Sequence, residues 1–160
     1  MVVEVVERPL PRPTNAAYVE AQLLEALAEA RLALEYLERD LTRNVAGKAF
    51  QARKALLTAL LRLELEKLKA LAKTEEERRW LESRAVPRIP TTRMKELGRL
   101  LEEAGHYGIS AWTDKALDLH DYQYHGAGSR HGAVYIHDER VSRRRRPATP
   151  QRTRQTLRGA

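Results

Sequence analysis

Five side chains able to do chemistry crowd into one short stretch near the end of the chain. The stretch, residues 112–126, reads WTDKALDLHDYQYHG. Its reactive or binding side chains are Lys115, His120, Tyr122, Tyr124 and His125. An imidazole can carry a proton near neutral pH, a lysine ammonium can hold a phosphate, and a phenol ring can stack on a base. No other stretch of the sequence brings together residues able to move protons, bind phosphate and stack on bases.

Two long apolar stripes precede this stretch and predict a helical hairpin. The first helix, capped by Thr14 or Asn15, is expected to continue to about Thr42. Its stripe recurs at steps of three and four residues and comprises Val19, Leu23, Leu27, Ala30, Leu34, Leu37 and Leu41. After Arg43 and Asn44 a second stripe covers residues 45–68. Two such stripes with a tight break between them are typical of an antiparallel hairpin.

Shorter helices are predicted after the hairpin. The spacing of Thr74 and Glu77 is that of a capping box, which restarts a short helix. After two prolines we expect a third helix, whose inward-facing residues are Met94, Leu97, Leu100 and Leu101. A fourth helix begins after Ser110, its expected N-cap, and ends at Gly126. This last helix carries the polar stretch, with Trp112 and Leu117 expected to anchor it.

The distribution of charge separates a neutral body from a basic tail. The 160-residue chain has a net charge of +7. Residues 1–128 contain 20 Lys and Arg against 20 Asp and Glu, whereas residues 129–160 contain nine Arg against two acidic residues. The chain has no cysteine, which excludes disulfides and thiolate metal sites. Because no apolar run reaches the length of a membrane span, we expect a cytoplasmic protein without a membrane partner.

These patterns divide the chain into three parts: a proline-rich arm at 1–13, a helical domain at 14–126 and a basic, disordered tail at 127–160. The tail contains four consecutive arginines that could contact RNA phosphates, namely Arg143, Arg144, Arg145 and Arg146. His131 and His137, next to two acidic residues, could ligate a metal, but solvated side chains are the simpler interpretation. No metal or cofactor is therefore expected.

The order of elements, and two segments in particular, resemble the HEPN superfamily of small helical proteins. The segments are NVAGKAFQARKALLTALL, at residues 44–61, and TTRMKELGRLLEEAGHYGI together with the later ALDLHDYQYHG. Over residues 14–126 the chain looks like archaeal HEPN members of uncharacterised or repeat-associated families. The resemblance implies an all-α, up-and-down bundle of four to five helices that forms a homodimer.

The chemical motif of that superfamily is an Arg, a His a few residues later, and often x-Tyr. Here the sequence reads Lys-x4-His-x-Tyr, so His120 and Tyr122 match the motif and Lys115 stands in the Arg position. In active members the Arg and His are thought to cleave RNA without a metal. The resemblance thus makes His120 the proton carrier, Lys115 the cation at the phosphate, and Tyr122 a substrate contact or a target of a partner nucleotidyltransferase. Tyr124 and His125 would add contacts to RNA or a nucleotide.

Helical geometry adds a condition to this interpretation. Positions five apart on a straight helix lie about 140° from each other, because each residue turns the helix by about 100°. Lys115 and His120 therefore converge poorly within one chain. A twofold dimer that places two fourth helices side by side could bring Lys115 of one copy to His120 of the other.

Two functions stay open on the sequence alone. One is a metal-independent endoribonuclease of a toxin–antitoxin or defence system, which His-x-Tyr favours. The other is a noncatalytic module for dimerisation and for binding a nucleotide, RNA or a protein partner. Lysine in place of arginine favours the second, because an ammonium is a point charge without the two-pronged donor of a guanidinium. Each residue also has a simpler role, as a surface charge (Lys115), an interhelical hydrogen-bonding group (His120), a packing aromatic (Tyr122, Tyr124) or a C-terminal helix cation (His125).

Overall fold

Residues 10–14 and 16–126 are described by the computed structural model of the chain, and all regular structure in them is helical. The six α-helices are α1 (Ala16–Glu38), α2 (Thr42–Leu63), α3 (Leu65–Leu71), α4 (Glu75–Trp80), α5 (Met94–Glu103) and α6 (Ile109–His125). A π-helical turn at Leu81–Ala85 follows α4, and a 3₁₀ turn at Thr91–Arg93 leads into α5. The all-α prediction is confirmed for these residues. Most of the predicted arm (1–9), the cap at Asn15 and the predicted tail (127–160) lie outside them.

The predicted hairpin of α1 and α2 is present, but its break comes earlier than the sequence suggested. The first helix ends at Glu38 instead of Thr42. Asp40 takes a left-handed conformation with φ of 60°, and the N–H of Leu41 donates to the carbonyl of Tyr36 at 3.0 Å. This geometry closes a helix C-terminus, and Asp is one of the few residues besides Gly that adopt it readily. A short turn thus replaces the last expected helical residues.

The number of helices exceeds the expected four to five because the second predicted helix is interrupted. Glu64, with φ of −97° and ψ of 9°, separates α2 from α3. Leu65 and Leu68 beyond it are still buried, so the stripe continues across the break. The Glu64 carboxylate lies 3.0 Å from Nε2 of His106 in the loop before α6. Hydrogen bonds from Lys67 and His106 lower the pKa of Glu64.

Two helix starts show how well local rules transfer to the folded chain. The capping box is confirmed: the Thr74 hydroxyl accepts from the N–H of Glu77 at 3.1 Å, and the Glu77 carboxylate accepts from the N–H of Lys73 at 2.8 Å. The expected N-cap at Ser110 is wrong. Helix α6 begins at Ile109, and the carboxylate of Glu102 accepts the N–H groups of Gly108 at 3.3 Å and Ser110 at 3.2 Å.

The core lies between α2 and α3 on one side and the turn at 81–89, α5 and α6 on the other. Its largest fully buried side chains are Tyr18, Phe50, Leu57, Leu61, Leu68, Leu81, Val86, Ile89, Met94, Leu97 and Leu101. Three of the four inward-facing residues predicted for α5 are among them, and Leu100 packs against the core partly exposed. Trp112 is 67% exposed, contrary to its expected anchoring role, whereas Leu117 packs against the core as expected and Thr113 is fully buried. A side chain at Gly98 would meet Thr113, which explains the close approach of α5 to α6.

Helix α1 contributes little to this core. Only Tyr18 and Ala33 of its 23 residues are buried. Its apolar stripe instead faces outward, where Leu27 is 59% exposed and Leu34 is 63% exposed. The stripe that marked α1 as amphipathic is therefore not covered by the rest of the described chain.

We predict that Glu102→Ala destabilises the protein by about 1–2 kcal/mol. The change removes the acceptor for two otherwise unpaired N–H groups at the start of α6, a loss comparable to deleting an N-cap. Urea unfolding monitored by circular dichroism measures the effect. Glu103→Ala is the control, because Glu103 is the exposed neighbour of Glu102 and accepts no backbone N–H at the start of α6. Equal losses of stability in both variants would contradict the assignment.

Candidate functional site

The polar stretch identified in the sequence lies on α6, which runs antiparallel to α2. At Gly47 the amide end of Gln123 lies against the backbone of α2, with its Nε2 2.5 Å from the position that a Cβ would take. One turn further along α2, the ring of Phe50 stacks on the ring of His120, with centroids 4.1 Å apart and planes at 26°. The stacking holds the imidazole on the inner side of α6, so its position is set by the contact between the two helices.

His120 occupies a partly apolar environment. Besides Phe50, the ring of Tyr124 meets it edge-on at 5.0 Å. The Nδ1 atom of His120 is enclosed and has no hydrogen-bond partner among the described residues. Burial lowers the pKa of His120, and the nearby charge of Lys54 lowers it further, against a smaller raising effect of Asp121. The imidazole is therefore neutral at physiological pH and able to accept a proton.

Lys115, predicted to act with His120, lies apart from it. Its side chain is 75% exposed, and the ammonium lies 3.7 Å from the carboxylate of Asp118 one turn along the same helix. The imidazole faces α2 instead. One chain by itself thus does not bring these two residues together, in line with their angular separation on a helix.

The other residues predicted on α6 have structural contacts. The hydroxyls of Tyr122 and Thr42 lie 3.1 Å apart, a hydrogen bond that joins the end of α6 to the start of α2. His125 lies 3.7 Å from Asp121, one turn earlier. Tyr124 remains 65% exposed while its ring edge meets His120. Of the predicted group, His120 and Tyr124 therefore lie in contact with each other, whereas Tyr122 fastens the helix.

Lys54 is the cation near His120 that sequence reasoning missed. It lies on α2, one turn beyond Phe50, and burial together with the charge of Arg88 lowers its pKa. Lys54 is 66 positions from His120 in sequence, and nothing in the local pattern of α2 distinguishes it from other helix-surface lysines. Only the fact that Phe50 and Lys54 follow each other at helical spacing could have suggested it, once the pairing of α2 with α6 was known.

A second surface of interest lies on the hairpin, away from α6. Ala49, Ala52 and Leu56 of α2 line a groove of about 710 Å³ with the exposed stripe of α1. A further groove of about 530 Å³ continues past Leu23 and Leu27, between Glu20 of α1 and Arg62 of α2. We call the two together the hairpin groove. It lies on the opposite side of α2 from Gly47 and Phe50, because those residues are turned by more than 90° from Ala49, Ala52 and Leu56.

Within residues 10–14 and 16–126, no three His, Cys, Asp or Glu side chains group as metal ligands. No helix in this part of the chain is long and apolar enough to cross a membrane. Arg143, Arg144, Arg145 and Arg146, like His131 and His137, lie outside the described residues.

Comparison with known proteins identifies a family. The sequence profile of the archaeal PaREP1/PaREP8 family matches residues 21–144, which covers most of the helical domain and the beginning of the basic segment. No curated protein and no solved structure is significantly similar to the chain.

We predict that His120 makes the stability of the protein depend on pH. Because the pKa of His120 is lower in the folded chain than the ordinary 6.5, the unfolded chain takes up the proton first. The free energy of unfolding should therefore be steady above pH 7 and fall as the pH drops through 6.5. His120→Phe, which keeps a ring against Phe50 and cannot be protonated, should lose this part of the pH dependence in urea unfolding between pH 7.5 and 5.5.

The matched control for this experiment is the exposed His125, changed to Gln. In this control, the difference in the free energy of unfolding between pH 7.5 and pH 5.5 should equal that of the wild type. If His120→Phe and the wild type lose the same free energy on acidification, the imidazole is not held in the neutral form by the fold.

Proposed function

We propose that this chain, which belongs to the archaeal PaREP1/PaREP8 family, is a noncatalytic, HEPN-like binding module that works as a homodimer. The exposed leucine stripe of α1 carries the proposal. Leu23, Leu27, Ala30, Leu34 and Leu37 recur at steps of four and three residues, the spacing of a coiled-coil seam. The leucines of this stripe are between 38% and 63% exposed.

Leaving such a stripe in water is unfavourable. Burying one leucine side chain stabilises a protein by roughly 1.5–3 kcal/mol. Soluble monomers rarely expose large contiguous apolar surfaces, and such surfaces mark interaction sites. The hairpin groove gives the stripe a concave shape, since the small side chains of Ala49 and Ala52 lie at its floor. A helix can seat in a groove of this kind, as in helix-in-groove recognition.

The charges of the hairpin favour a second copy as the occupant. Helix α1 contains five Glu and one Arg, whereas α2 contains three Arg, two Lys and no acidic residue. A twofold axis parallel to the helices would place α1 of each copy over α2 of the other, so that acidic and basic edges meet. Glu20 and Arg62 line opposite edges of the same end of the groove. In this arrangement, Glu20 of one copy approaches Arg62 of its partner.

The endoribonuclease of the sequence analysis is the second candidate. The neutral, partly buried imidazole of His120 favours it, because a general base must be unprotonated at working pH. The pairing of Lys115 with Asp118 speaks against it. A dimer through the hairpin groove also leaves the two α6 helices apart, since α6 packs on the other side of α2. The shared Lys115–His120 site would require a different pairing, through α6.

We predict that the protein sediments at twice the 18.3 kDa mass of the chain. Replacing Leu27 and Leu34 together by Glu should give a folded monomer, because four carboxylates would face each other across the apolar seam. Analytical ultracentrifugation over a range of concentrations measures the shift. Leu71→Glu, at an exposed leucine outside the hairpin groove, is the control and should stay dimeric.

A charge exchange tests the orientation of this dimer. Glu20→Lys alone should weaken the dimer, since it places Lys opposite the partner's basic helix, and adding Arg62→Glu should restore it. Arg62 also donates to the carbonyl of Pro13 at 2.6 Å, and Arg62→Glu removes this hydrogen bond. Because losing the bond cannot by itself strengthen the dimer, restored association would report the exchanged charges. A strictly monomeric wild type, or a double variant weaker than Glu20→Lys, would contradict the proposed pairing.

We predict that the protein does not cleave RNA in the presence of EDTA above the level of its His120→Ala variant. Gel analysis of a labelled single-stranded RNA after incubation with each protein makes the comparison, and His125→Ala serves as the control for loss of an exposed histidine. Cleavage that persists in EDTA, is retained by His125→Ala and is lost in His120→Ala would replace the binding module by the endoribonuclease.

A further inference from the structure

Three cations gather around a trough that neither the predicted motif nor the hairpin groove includes. Lys54 of α2 lies on one side of the trough; Arg84, within the π-helical turn, and Arg88, just after it, lie on the other. The trough has a volume of about 640 Å³. Its remaining lining consists of Trp80, Ser83, Pro87, Ile89, Pro90 and Thr91. No acidic side chain of the described residues lines it, so the cations face one another across open space.

The local fold explains why the two arginines point the same way. Positions four apart lie on one side of a helical turn, and the N–H of Arg88 donates to the carbonyl of Arg84 at 3.1 Å. The opposite side of the segment is buried, because Ala85, Val86 and Ile89 all pack in the core. The hydroxyl of Tyr18 donates to the carbonyl of Val86 at 2.8 Å. The arginines therefore project from a segment that is fastened to α1 and to the core.

This arrangement of like charges is unfavourable for folding. Arginines four residues apart repel each other, and Lys54 faces them from α2 in a partly buried position. Burial lowers the pKa of Lys54, and the positive charge of Arg88 lowers it further, as expected for two cations that repel each other. Within the described residues no carboxylate forms an ion pair with any of the three, whereas Lys48, Arg78 and Arg93 each have one. An anion in the trough would relieve the repulsion.

We propose that this trough binds the phosphate groups of an RNA strand, which deepens the proposed role as a binding module and rests on it. The shape favours a chain over a single small anion. Past Lys54 and Arg88 the trough continues for a further 300 Å³ or so along α1, beside Gln22, Gln51 and Thr58. Glu25 lies in that extension, so the basic part ends there. Phosphates pair with the cations in the first part, and side-chain amides contact sugars or bases in the second.

The trough and the hairpin groove lie on different sides of α2. Lys54 is turned about 140° from Ala49 around the helix axis, whereas Ala52 and Leu56 lie within about 60° of Ala49. A dimer paired through the hairpin groove therefore leaves both troughs open. Two strands, or two parts of one strand, can then bind to one dimer, each on its own face.

Fluorescence anisotropy with a labelled 12-nucleotide oligouridine tests the site in the full chain. Lys54→Gln combined with Arg88→Gln should weaken binding by about tenfold or more at moderate salt. The slope of log K against log salt should also become shallower by about 1.4, since each lost contact to a single strand contributes about 0.7. The arginine-rich residues 143–146 are present in every protein compared, so their nonspecific contribution cancels.

Arg99→Gln is the matched control, because Arg99 is an exposed arginine on α5 outside the trough. It should keep the wild-type affinity and slope. The double variant should melt at or above the wild-type temperature without RNA, because it removes like-charge repulsion, and it should sediment as the wild type does. Equal RNA affinity and equal slope in the wild type and the double variant would overturn the proposal.

Two further arms separate this proposal from its alternatives. If ADP binding depends on Lys54 and Arg88 while oligouridine binding does not, the ligand is a mononucleotide and the RNA assignment is wrong. The double variant Leu27→Glu, Leu34→Glu should still bind oligouridine, and this binding should still depend on Lys54 and Arg88. Failure of the dimer with a persistent trough effect would overturn only the proposed pairing, and the reverse result would overturn only the RNA site.

Discussion

Close packing of α6 against α2 is the contact on which the rest of the molecule depends. At Gly47 the amide end of Gln123 occupies the place that a Cβ would take, and the stacking of His120 on Phe50 completes the contact. This contact buries one side of α2 and fixes the direction of every other side chain on that helix. Lys54 is thereby turned toward the segment at 84–88, and Ala49, Ala52 and Leu56 are turned away from the core.

The same packing places the imidazole of His120, the ammonium of Lys115 and the cations of the trough on three different surfaces. The imidazole lies inside, between two aromatic rings, where burial keeps it neutral. The ammonium of Lys115 lies outside on the same helix, paired with Asp118. The cations without carboxylate partners among the described residues lie on a neighbouring face of α2 and on the π-helical segment. A helix that presents different residues to different neighbours can therefore support binding without assembling a catalytic group.

Much of the architecture could be predicted because it follows from local rules. Apolar spacing identified the hairpin and the inward-facing residues of α5, and the Thr74–Glu77 box is formed as its spacing indicated. The errors arose where a distant group replaced a local one. Glu102 caps α6 from the preceding helix, so Ser110 was not needed as a cap. Glu64 ends α2 inside an unbroken apolar stripe. In α1, amphipathic spacing correctly indicated a helix with an apolar face, but spacing cannot say whether a face is covered by the same chain.

What the sequence alone determined is the helical class of the described chain, the approximate place of its segments and the presence of a proton-carrying residue type at position 120. These properties depend on residues a few positions apart, whose relative geometry is set by the helix itself. Only the tertiary structure decided that burial lowers the pKa of His120, that Lys54 and not Lys115 is the cation near it, and that the leucines of α1 are exposed. Those properties depend on distances between groups up to 66 positions apart, and such distances exist only once the helices have packed.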